Sequence, residues 1–136
     1  EILTLLRRSG HRVECLYGGW AADAYGEVAP YLVRVKKRGR LLEQLVELGW
    51  GNGWGLYFYS NATDALCKRA LRRILTASVE GLGVVLFRFF DPEVLRRFVR
   101  VAIEEELAPI SATGGTFVFE GEGGRAMSFP VVRQAI

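Results

Sequence analysis

The sequence predicts an α/β (or α+β) fold: a single compact domain over residues 1–136, with a mixed β-sheet packed by helices and a C-terminal hairpin near residues 116–129. Three observations predict it. Strand-like and helix-period segments alternate through most of the chain. Val84-Val85-Leu86-Phe87-Arg88-Phe89-Phe90 is almost continuously apolar, as in a central strand covered on both faces. Gly121-Glu122-Gly123-Gly124-Arg125 joins two short strand-like stretches, Thr116 to Glu120 and Ala126 to Phe129, which is a hairpin signal. Composition agrees. A length of 136 residues fits one domain, and 50% hydrophobic with 24% charged residues excludes a disordered or fibrous chain. A chain of this size buries roughly two thirds of its unfolded surface, enough for a core without a disulfide or metal staple.

Taken in order, residues 2–9 form a helix ended by Gly10, which suits a left-handed C-cap. Val13 to Tyr17 is a short strand, broken by Gly18-Gly19, and Trp20 to Tyr25 form a helical turn. Pro30 starts the strand Tyr31 to Val35, a position where proline is tolerated. Arg40 to Leu48 places Leu41, Leu42, Leu45 and Leu48 on one face, an amphipathic helix stopped at Gly49. A glycine-dense connector, Gly49 to Gly55, leads into the aromatic strand Leu56 to Tyr59. Asn61 or Thr63 caps a helix over 63–78 with a stripe of Leu66, Cys67, Ala70, Leu71, Ile74 and Leu75. Asp91-Pro92-Glu93 opens the next helix, because Asp accepts free amide hydrogens, Pro fits the first turn and Glu suits the dipole. That helix runs to about Leu107. The sheet is expected to combine the strands near 13–17, 31–35, 55–59 and 84–90, with the last at its centre.

Catalytic and cofactor chemistry finds little footing. Cys15, Cys67 and His11 are too few for a four-ligand zinc site, and both thiols read as buried and inert in a reducing compartment. The glycines at 49, 51, 53 and 55 offer a phosphate cradle only in part. They lack the G-x-G-x-x-G spacing and lie between a helix and a strand, the reverse of the dinucleotide order. Gly121 to Ala126 matches G-x-G-x-x-A but leads into Ser128-Phe129-Pro130, which cannot begin a phosphate-binding helix. Asp64 and Asp91 have capping roles, and Glu104-Glu105-Glu106 fan around a solvated helix face. The reading is therefore of no catalytic residues, no metal and no cofactor. No window approaches the ~18 apolar residues of a membrane span, and no secretory signal opens the chain.

The basic residues are more informative. Eighteen Lys+Arg oppose fifteen Asp+Glu, and fifteen of the eighteen are Arg. Lys68, Arg69, Arg72 and Arg73 lie opposite the apolar stripe of the 63–78 helix, with like charges at i, i+4. Arg96, Arg97 and Arg100 form a second cluster. Both are candidate partner-binding surfaces. An acidic protein segment suits them better than nucleic acid, because no aromatic stacking residues are interleaved. Arg88, inside the most apolar strand, needs a partner such as Asp91 if buried.

These residues, taken in sequence, carry a resemblance. Ala29-Pro30-Tyr31-Leu32-Val33-Arg34-Val35, a Leu-rich helix into Gly49-Trp50-Gly51, an Arg-rich helix, and then Val85-Leu86-Phe87-Arg88-Phe89-Phe90-Asp91-Pro92-Glu93-Val94-Leu95-Arg96 together resemble the type VI secretion effector-chaperone (adaptor) family, long catalogued as a domain of unknown function. The resemblance covers roughly residues 1 to 120. It implies a non-catalytic protein of the bacterial cytoplasm that binds one cognate toxic effector and helps load it onto the VgrG spike, with no nucleic-acid or membrane partner. Pro30, Tyr31, Arg88, Asp91 and Pro92 are its motif residues. Three departures accompany it. The family's opening strand is absent before Glu1, which implies that an N-terminal strand precedes this sequence. Ala70 stands where the family often carries His. The sequence stops at Ile136, ahead of the variable C-terminal lobe with which longer members help choose cargo. Two other functions stay open from the residues themselves: a small acyl-transfer or nucleotide-binding enzyme using Gly49–Gly55, and a nucleic-acid-binding domain using the Arg69–Arg73 helix.

Overall fold

The computed structural model describes residues 2–18 and 29–130. Helices and strands are mixed along the chain, as the sequence predicts, and its contacts cluster into two units, residues 1–49 and 50–136. The helical turn expected over Trp20 to Tyr25 lies outside the described residues.

In the first unit α1 (Ile2–Arg8) ends where Gly10 takes a left-handed φ of 75°, the C-cap conformation its sequence position predicts. Strand β1 (Val13–Cys15) pairs antiparallel with β2 (Tyr31–Val33), Val13 opposite Val33 and Cys15 opposite Tyr31. The pairing extends one residue further, since the Leu16 N–H donates to the Pro30 carbonyl at 2.9 Å. Proline lacks a donor, so it serves at this strand end only as an acceptor. Helix α2 (Arg40–Gly49) follows, with Leu41 buried.

The second unit holds two antiparallel sheets. One is three-stranded, with β6 (Thr116–Glu120) between β3 (Tyr57–Tyr59) and β7 (Ala126–Phe129). The β6–β7 pair is the C-terminal hairpin expected from the sequence. The other sheet is a hairpin of β4 (Thr76–Val79) and β5 (Gly83–Leu86). Between these strands lie α3 (Asp64–Arg73), α4 (Pro92–Val101) and α5 (Glu104–Ser111). The core is aromatic. Phe117 and Phe119 point inward from alternate positions of β6 and are fully buried, with Phe89, Leu95 and Ile110. Phe117 meets Phe58 and Phe89, at ring separations of 4.9 and 6.1 Å. Gly115 is required where it stands, because a Cβ there would fall 2.2 Å from the Phe58 ring.

Three expectations are corrected. The strands do not join one mixed sheet: every pairing among the described residues is antiparallel, in three separate pieces. Strand 84–90 is not central. It stops at Leu86 and has one partner, β4, so Val84 and Leu86 face outward while Phe89, beyond the strand, fills the core. The predicted 63–78 helix ends at Arg73, and 76–79 is a strand. Ile74 and Leu75 are buried in either conformation, so their spacing could not separate the two, whereas Gly81 and Gly83, both at positive φ, permit the tight return to β5. The following helix also breaks, at Ala102-Ile103. Glu104–Glu106 begin a new one, with the Glu106 carboxylate accepting the Ile103 N–H at 3.0 Å.

Candidate functional site

Helix α3 starts at Thr63, whose hydroxyl accepts the Leu66 N–H at 3.3 Å. This register turns Leu71 into the core at 3% exposure and leaves Arg69, Arg72 and Arg73 in solvent; Leu66 and Ala70, expected on the buried stripe opposite the basic residues, are exposed and half-buried and share a face with Arg69 and Arg73. Lys68 is half-buried, and both Lys68 and Arg72 have interaction partners. Arg69 and Arg73, one turn apart, have no ion-pair partner among the described residues. They flank an open groove that is also lined by Ala62, Leu66, Cys67, Ala70 and Thr113. Its lining combines aliphatic side chains with a positive charge.

The second predicted cluster does not form one basic surface. Arg97 bonds to Glu93 across one turn of α4 at 2.8 Å, and Arg100 bonds to Glu122 at 2.9 Å. Arg96 instead lines a separate cleft of about 530 Å³ with Gly51, Asn52, Gly53, Asp91, Pro92, Glu93 and Glu120. This is the glycine segment that could have cradled a phosphate. The Gly51 N–H donates to the Glu120 carboxylate at 2.8 Å, and the Trp50 indole donates to the Gly124 carbonyl at 2.8 Å. The turn is thus anchored to the β6–β7 hairpin by contacts within the chain. Three carboxylates against one guanidinium make the cleft unfavourable for an anion.

The motif residues are placed as scaffold. Asp91 caps α4, its Oδ1 accepting the Glu93 N–H at 3.0 Å, and Pro92 follows at the first helical position, buried. Arg88 departs from expectation. It is exposed in the connector after β5, and its guanidinium lies over the Phe90 ring, 5.7 Å from the centroid, with no carboxylate at ion-pair distance among the described residues. With the strand ending at Leu86, the alternation that would have buried Arg88 no longer applies. Pro30 is buried and Tyr31 half-buried in the β1–β2 pair. Cys15 and Cys67 are unbridged and half-buried, more accessible than expected. Burial pushes the Tyr57 phenol above its ordinary pKa of 10.0. Among the described residues no three His, Cys, Asp or Glu side chains are grouped to hold a metal, and no helix is long and apolar enough to cross a membrane.

Sequence reasoning missed two features. One is the outward face of the β4–β5 hairpin, where Leu82, Val84 and Leu86 are 74, 72 and 60% exposed. The Gly81-x-Gly83 turn was its available signal. The other is the part Ala62 and Thr113 play in the α3 groove; Thr113 is distant in sequence, so no local pattern could show it.

Comparison with known proteins gives one match. A family model described as a domain of unknown function, DUF4123, matches residues 1–108. No curated protein and no solved structure matches the chain.

Proposed function

We propose a function for this chain on the premise that it belongs to the DUF4123 family: it is a non-catalytic adaptor that binds a type VI secretion effector in the bacterial cytoplasm and helps load it onto the VgrG spike. The resemblance of the Val85–Arg96 and Ala29–Val35 blocks supports the secretion role. The structural observation that carries protein binding is the β4–β5 hairpin. Three large aliphatic side chains, Leu82, Val84 and Leu86, stand in solvent on a two-stranded element. Such exposure is costly unless a partner covers it. The glycine cleft favours neither rival enzyme, since its walls are acidic and its Gly51 amide is already bonded to Glu120.

Co-expression of the tagged full chain with the effector encoded beside its gene, followed by size-exclusion chromatography, tests the proposal. The two are expected to elute as one complex, and Val84→Asp with Leu86→Asp to separate them. An effector that elutes alone, folded and intact, beside this chain contradicts the adaptor reading.

A further inference from the structure

The β4–β5 hairpin does not say which chemistry it prefers, but the α3 groove does. Arg69 and Arg73 are like charges at i, i+4, a placement that costs the isolated helix a few tenths of a kcal/mol. Their neighbours in the sequence, Lys68 and Arg72, have interaction partners, whereas these two have no carboxylate within ion-pair distance among the described residues. The rest of the lining is mostly apolar side chains. Leu66 and Ala70 lie on the same helix face, and Ala62 and Thr113 complete the floor and wall. A guanidinium beside aliphatic surface is poorly hydrated on that side and forms strong bidentate bonds to carboxylate.

We propose that this groove is the docking site for an acidic, aliphatic segment of the partner protein, in which two carboxylates bond Arg69 and Arg73 and an aliphatic side chain between them covers Leu66 and Ala70. The partner class rests on the adaptor reading; the chemistry rests on the groove. Charge complementarity sets the first requirement. The Cβ atoms of residues one helical turn apart are about 6 Å apart, so the carboxylates must have matching spacing, as Glu residues at i and i+4 of a helix do. The aliphatic side chains of the lining set the second, and they disfavour nucleic acid: among the described residues no aromatic ring lines the groove to stack a base, and two cations bind few phosphates.

The test is fluorescence anisotropy of the full chain with a labelled synthetic helical peptide carrying a leucine stripe and Glu pairs at i and i+4. Arg69→Gln with Arg73→Gln is expected to weaken binding at least about tenfold, and Leu66→Ser to weaken it as well. Arg7→Gln with Arg8→Gln, which removes the same charge from exposed arginines of α1, is expected to leave it unchanged. Circular dichroism checks that each variant is folded. Three results overturn the proposal: failure of the peptide to bind, equal binding of a peptide with Gln in place of Glu, or equal weakening by the α1 variant. Preferential binding of a labelled single-stranded oligonucleotide, lost in Arg69→Gln with Arg73→Gln, would reassign the groove to nucleic acid. An effector that still co-elutes with the Arg69→Gln, Arg73→Gln chain would sink the groove and leave the adaptor reading standing, so the two fail separately.

Discussion

Within five residues of one connector, Arg88, Phe89 and Asp91 meet three different environments. Phe89 is 2% exposed and touches Phe87, Phe90 and Phe117 with its ring, so its removal leaves a cavity. Phe-to-Ala losses in such positions are typically about 3–5 kcal/mol. Arg88 is exposed, and its stacking over Phe90 is of the kind worth about 0.5–1 kcal/mol in water. Urea denaturation is therefore expected to find Phe89→Ala severely destabilised and Arg88→Ala within about 1 kcal/mol of the native chain. An Arg88→Ala loss as large as that of Phe89→Ala would contradict the exposed placement. The sequence suggested the opposite weight for Arg88, because seven residues of nearly unbroken apolar character looked like one buried strand. The chain turns after Leu86 instead, and alternation stops having meaning there.

At the scale of elements, the strongest local signals were the ones with a single physical interpretation. Asp91-Pro92-Glu93 offers an acceptor, a fixed φ and a favourable charge at one helix start, and no competing structure uses all three. The observed cap follows directly. Asp91→Ala is expected to lower the melting temperature by roughly 4–8 °C, the equivalent of about 1 kcal/mol in a small domain, while Asp91→Ser keeps most of the stability. Equal melting of Asp91→Ala and the native chain would show that the cap contributes nothing. The C-terminal hairpin was legible for a similar reason, since Gly121 to Arg125 can only turn between its flanking strands. By contrast, Ile74 and Leu75 satisfy a helical stripe and a buried strand entry alike, so the end of α3 and the whole of β4 were hidden. Arg69 and Arg73 were legible as an exposed basic pair. The groove they flank was not, because Thr113 reaches it from a distant part of the chain.

For the whole molecule, the residues that hold the fold and the surfaces proposed for a partner are different ones. Phe89, Asp91, Pro92 and Leu95 serve the fold, three by burial and Asp91 by capping its helix. The surfaces that suit a partner are elsewhere, on the β4–β5 hairpin and in the α3 groove. The family match covers residues 1–108, and the proposed delivery of an effector to a secretion spike stands on the resemblance together with those surfaces. The most direct measurement is secretion by the source bacterium after deletion of this gene alone, with the needle's own tube protein followed beside the cognate effector. The effector is expected to disappear from the secreted fraction while the tube protein is secreted at its normal level, and the native gene supplied in trans to restore it. Continued secretion of the effector, or loss of both proteins together, would contradict it: the first would show that no adaptor is needed, and the second that the chain belongs to the needle itself.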